Sequence, residues 1–122
     1  MSNWIYVFIG GGIGSLVRFG IANYLISPNA KFPYATFVAN IVACFILGIL
    51  VSIQLKEQLQ NHHALLLMTG FCGGFSTFST FSMEALNLMQ NQQVGLAFIY
   101  IGLSVLFGLL FVYFGFKIHQ HF

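Results

Sequence analysis

Charge is nearly absent from this 122-residue sequence: four Lys and Arg and two acids, 5% of the chain. Soluble domains carry about 25% charged residues. With 58% of residues hydrophobic, a chain this small cannot hide its apolar surface from water, so lipid is the expected solvent. A formal net charge of +2 is too small to argue for a nucleic-acid partner or a polybasic lipid-binding patch, and neither is expected. Cysteine is equally sparse. Cys44 and Cys72 lie inside apolar segments without ligand partners nearby in sequence, which excludes a disulfide framework or zinc site and leaves small buried hydrophobes. A basic n-region and an A-x-A-like cleavage site are also missing, and Arg18 interrupts the first apolar segment. That segment is therefore expected to be retained rather than cleaved. No nucleophile–base pair, phosphate loop or metal-ligand cluster is present, so the chain is not expected to be an enzyme.

What remains is apolar sequence in membrane lengths. A spanning helix needs about 20 apolar residues. Four segments qualify: Trp4–Ile26, Tyr34–Leu55, Ala64–Met89 and Val94–Ile118. The expected fold is an all-α membrane protein, a single four-helix domain over residues 1–122. The links are short (Ser27 to Pro33, Lys56 to His63, Gln90 to Gln93), which predicts that sequential helices are antiparallel neighbours. Both termini then share a side. Lys56 and Lys117 on that side against Lys31 on the other give only a weak preference for a cytoplasmic location. A chain with so little bias could insert both ways.

The most informative stretch runs from Gly70 to Ser82: Gly-Phe-Cys-Gly-Gly-Phe-Ser-Thr-Phe-Ser-Thr-Phe-Ser. A lipid-exposed helix needs none of these polar groups. Gly73-Gly74 weakens the helix, and the hydroxyls that follow can satisfy freed backbone groups. Irregular backbone at membrane depth survives only inside protein or beside a water-filled cavity. The third helix is therefore expected to be broken at the membrane centre, with Thr77, Phe78, Ser79, Thr80 and Phe81 as candidates for lining a pathway. Phe78 and Phe81, at i and i+3, share a face. Their ring edges are positive and attract an anion, although 15 Phe in the chain make ordinary packing a strong alternative for any one.

Polar groups recur on the other segments. Gly10 and Gly14, with Gly11 and Ser15, form small faces suited to close helix packing. Arg18 is costly in a membrane; it either lines an electropositive vestibule or snorkels to an interface. Thr36, Asn40, Cys44 and Gly48 follow at intervals of four along one face. Asn40 must find a partner, as an interhelical hydrogen bond or as a donor to a desolvated ion. Glu84 could pair with Arg18, sit in a vestibule or reach the interface. Tyr100 and Ser104 add two hydroxyls on one face, and His119 and His121 read as a solvated tail.

Together these residues resemble the CrcB/Fluc family of fluoride channels. The likeness covers the whole chain. It rests on Gly10-Gly11-x-x-Gly14-Ser15-x-x-Arg18-Phe19, on Thr36-x-x-x-Asn40 with Phe45-x-x-Gly48, and most specifically on Gly70 to Ser82. The resemblance implies an antiparallel, dual-topology dimer with two pores in the bacterial cell membrane. It implies that Phe78 and Phe81 contact fluoride, that Asn40, Thr80, Tyr100 and Ser104 line a polar track with Thr36 and Ser79 near it, and that Arg18 and Glu84 lie towards a vestibule. It also implies a structural Na+ at the dimer centre, held by backbone carbonyls of Gly73 and Ser76 from both subunits. The partner is a second copy or a paralogous subunit. Gly108 stands where some members use serine, which puts the far end of the track in question. Two other readings compete: a small four-helix proton-coupled drug or cation antiporter, and an assembly protein whose polar groups serve packing. The antiporter needs an embedded carboxylate, and Glu84 is the only acid within a segment.

Overall fold

The computed structural model describes residues 2–25 and 31–121. Among these there is no strand. Helix α1 spans Asn3–Tyr24 and α2 spans Tyr34–Leu55. A third rod is composite: α3 (Asn61–Ala64), a π-helical stretch (Leu65–Cys72) and α4 (Gly73–Phe75). After two extended residues it resumes as α5 (Phe78–Gln90), and α6 (Val94–Gln120) completes the chain. Among the described residues, four rods are long and apolar enough to cross a membrane, the third being residues Asn61–Gln90. The third rod begins three residues before the expected Ala64, and α6 runs two residues past Ile118. The expected end of the first segment at Ile26, and the link residues 27–30, lie outside the described residues.

Local chemistry explains the ends. The Ser2 hydroxyl accepts from the Trp4 amide, satisfying a free donor at the start of α1. Helices α2 and α5 end alike. Glu57 and Gln92 take left-handed φ values of 57° and 62°. The Gln58 amide reaches back to the Ile53 carbonyl at 3.1 Å and the Gln93 amide to Leu88 at 2.8 Å. These are Schellman closures that bind the last carbonyls without glycine.

Sequential rods touch and run antiparallel, but the main packing joins alternate rods. Tyr6 lies against His62, Gly10 against Leu66 and Gly70, Gly14 against Phe71 and Phe75, and Arg18 against Gly74. These pairs advance together, so α1 and the third rod run parallel. Likewise Phe37 meets Phe107, Phe45 meets Phe111, Gly48 meets Val112 and Ser52 meets His119, so α2 and α6 run parallel. Short links allow adjacent helices to touch, but small residues decide where backbones come closest. A Cβ on Gly10, Gly14 or Gly48 would run into the carbonyl of Leu66, Phe71 or Val112. Gly10 and Gly14 therefore act in packing, as their spacing predicts. Hairpin contacts survive between α5 and α6, where Ala85 and Leu88 pack with Ala97 and Tyr100. His119 is not a free tail residue: its Nδ1 lies 3.0 Å from the Ser52 hydroxyl, and its carbonyl accepts from Lys56 Nζ.

Candidate functional site

The site is built around the interruption of the third rod. Gly73, Gly74 and Phe75 remain helical; the chain extends at Ser76 (ψ 157°) and Thr77 (φ −152°). Glycine weakens a helix everywhere, whereas side-chain partners fix where it stops. Asn40 on α2 supplies them. Its Oδ1 accepts from the Thr77 amide at 2.8 Å and its Nδ2 donates to the Thr77 carbonyl at 3.2 Å. This two-point match orients the amide and leaves its second N–H uncommitted to Thr77. The Thr77 hydroxyl caps α5 by accepting from the Thr80 amide at 3.2 Å.

Arg18 and Ser76 bind the opposite lip. Arg18 Nε donates to the Gly74 carbonyl at 3.2 Å, and the Ser76 hydroxyl donates to the Cys72 carbonyl at 2.7 Å. Arg18 thus spends its Nε on the broken helix, capping the Gly74 carbonyl while its side chain stays only half-buried. The carbonyls of Gly73 and Ser76 are treated differently. In an unbroken helix their partners would be the amides of Thr77 and Thr80. Both amides are diverted to side chains.

Beside the break, between α2, α5 and α6, lies a cavity of about 280 Å³. It brings together six of the expected residues: Asn40, Ser76, Thr77, Phe78, Phe81 and Ser104. Gly108, at the far end of the expected track, shares its wall, as does Cys44, which its apolar setting alone does not mark as a lining residue. The Ser104 hydroxyl is buried and has no hydrogen-bond partner among the described residues. Cys44 is the bulk opposite Gly108: a Cβ added at Gly108 would sit 3.5 Å from its sulfur, ordinary contact distance. The Phe78 and Phe81 rings lie 5.8 Å apart. Phe78 is 78% exposed, so one chain covers only part of this ring.

Phe81 leads onward. Its ring centre is 5.0 Å from that of Tyr100, a fully buried side chain. The Tyr100 hydroxyl donates to Glu84 Oε1 at 3.3 Å, with buried Thr36 beside it. Glu84 is therefore partnered by Tyr100 and not by Arg18, which is held at Gly74. It also lines a second cavity, of about 260 Å³, with Lys31, Asn87 and Asn91. Thr80 and Ser79 are not among the residues lining the first cavity; Thr80 is held through its amide, and the Ser79 hydroxyl turns to Thr77 Oγ1 at 3.4 Å.

Comparison with known proteins places this arrangement. A family model described as "CrcB-like protein, Camphor Resistance (CrcB)" matches residues 5–116. A Flavobacterium psychrophilum protein named fluoride-specific ion channel FluC is 39% identical over 90% of this chain and 90% of its own length. A Ligilactobacillus salivarius protein named fluoride-specific ion channel FluC 1 is 41% identical over 91% of this chain and 94% of its own. One from Bacteroides fragilis, also named FluC, is 40% identical over 92% and 91%. With nearly its whole length matched, this chain belongs to the CrcB family.

Proposed function

We propose that this protein is a subunit of a passive, fluoride-selective channel in the bacterial cell membrane. The observation that carries the reading is the convergence on one cavity of two phenyl rings, the Asn40 amide and an unpartnered Ser104 hydroxyl. Its relatives bear the fluoride-channel name. Ring edges and hydrogen-bond donors favour an anion, and the smallest halide accepts hydrogen bonds most strongly. Glu84 fits a proton-coupled exchanger poorly, because its carboxylate is engaged by the Tyr100 hydroxyl rather than standing alone. Purified protein in liposomes is expected to release fluoride rapidly and chloride negligibly under equal gradients. Equal efflux of both ions would overturn the proposal.

The working unit is an antiparallel dimer, a second copy or a paralogous subunit facing the first. Phe78 supports it: its exposed ring borders the first cavity, where a second chain would cover it. The diverted amides support a structural Na+ at the centre of that dimer. Gly73 is exposed, and a Cβ there would meet nothing within 4 Å. The Gly73 and Ser76 carbonyls of each chain would hold the ion, since carbonyl oxygens are suitable ligands for such a cation. Bound, it supplies positive charge where carbonyl dipoles would otherwise be buried without donors. A homodimer that inserts both ways is expected to expose Asn91→Cys, in a Cys44→Ala, Cys72→Ala background, to a membrane-impermeant thiol reagent in about half the molecules. Labelling of all or none would exclude the homodimer and leave a heterodimer or a parallel assembly.

A further inference from the structure

We infer that Lys31 is the anion-collecting residue at one mouth of the pathway, and that its charge sets the rate at which fluoride arrives there. The inference rests on the channel reading and adds to it a residue that neither the ring pair nor the polar track contains. Lys31 and Glu84 line the same cavity, with Asn87 and Asn91. Lys31 and Asn91 also line a neighbouring cavity with Gln93. The lining sets a cation, an acid and amides among Phe32, Pro33 and Leu88, and is more polar than the largely apolar chamber at the ring pair.

A short chain of contacts links this mouth to the chamber. Glu84 holds the Tyr100 hydroxyl, and the Tyr100 ring lies against Phe81. Phe32, on the mouth's wall, stands edge-on to the same Tyr100 ring at 5.3 Å. An anion entering this way must pass the Glu84 carboxylate. A negative charge beside the approach repels it, and a cation in the same cavity offsets that repulsion. Lys31 is exposed, so its charge also acts outward. With Lys31 present the cleft carries one charge of each sign; with Lys31 replaced by an acid it is lined by one sign, which changes local ion concentration and on-rate by about 10 to 10³, an effect that falls steeply with salt.

The test is fluoride efflux from liposomes holding the full chain, measured from low to high ionic strength. The Debye length shrinks from about 30 Å at 0.01 M to about 3 Å at 1 M salt. Lys31→Glu is expected to lower the rate about tenfold or more at the low end and to approach wild type at the high end. Lys31→Gln should fall between, and Lys31→Arg should retain the wild-type rate at every salt concentration. An unchanged rate in Lys31→Glu at low salt would overturn the inference while leaving the channel reading intact. So would a loss that salt does not relieve, or one shared by Lys31→Arg, since either marks a structural effect. Wild-type protein that fails to pass fluoride would sink the channel reading itself, and this inference with it.

Discussion

Phe81→Ile is expected to abolish fluoride efflux while the protein still folds and dimerises. Isoleucine keeps apolar bulk against Tyr100 and Phe78. A swap between hydrophobic side chains of similar volume costs under about 1.5 kcal/mol of stability. It lacks a quadrupole, so it offers the anion no positive ring edge. Phe81 is the ring to test because it has neighbours on both sides: Phe78 at 5.8 Å towards the chamber and Tyr100 at 5.0 Å towards Glu84. Its loss interrupts the row at the middle. The measurement is the fluoride electrode trace from proteoliposomes, set beside gel filtration of the same preparation. A fall of at least about 100-fold in rate is the expected result, corresponding to roughly 3 kcal/mol in the barrier. An unfolded or dissociated protein would instead assign Phe81 to packing, and a wild-type rate would remove it from the pathway.

Much of this architecture is legible in the sequence, because lipid imposes few solutions. Backbone groups in hydrocarbon must be satisfied internally, so four apolar stretches of membrane length become four helical rods. The glycine spacing of α1 announces a close packing face, and Gly10 and Gly14 sit in one. What was not legible depends on partners distant in the chain. The parallel pairing of α2 with α6 arises from Gly48 and Gly115, each seated on a carbonyl of the other helix. Link length carries no information on that. Which residue within Gly73 to Thr77 ends the helix depends on such a partner too. Gly73-Gly74 looks like the weak point, but Asn40, 37 residues upstream of Thr77, supplies the groups that replace the helical bonds. Arg18 was read through its charge alone. Its Nε finds the Gly74 carbonyl, 56 residues away. Cys44, a residue set aside as a plain hydrophobe, shares the chamber wall because Gly108 leaves room there.

Asn40 joins the two roles that its sequence position left open, and two substitutions separate them. Its amide clamps the Thr77 backbone, and it also borders the chamber. Asn40→Asp keeps an acceptor for the Thr77 amide but turns the other arm of the clamp into a second acceptor facing the Thr77 carbonyl. A carbonyl left without its donor costs about 1–3 kcal/mol. The larger effect falls on the anion. At about 4 Å and an effective dielectric constant near 20, two like charges repel by about 4 kcal/mol. That corresponds to roughly three decades in rate. Asn40→Ala removes both arms without adding charge. It is expected to melt at a lower temperature than Asn40→Asp, because the Thr77 amide then loses its partner too, yet to pass more fluoride. Thermal denaturation in detergent and efflux from liposomes, run on both variants, give the two orders. Opposite rankings in stability and flux are the expected outcome. If Asn40→Ala were the slower channel as well as the less stable protein, the clamp alone would account for Asn40 and the fixed charge would not matter. Wild-type flux in Asn40→Asp would place the anion's route elsewhere.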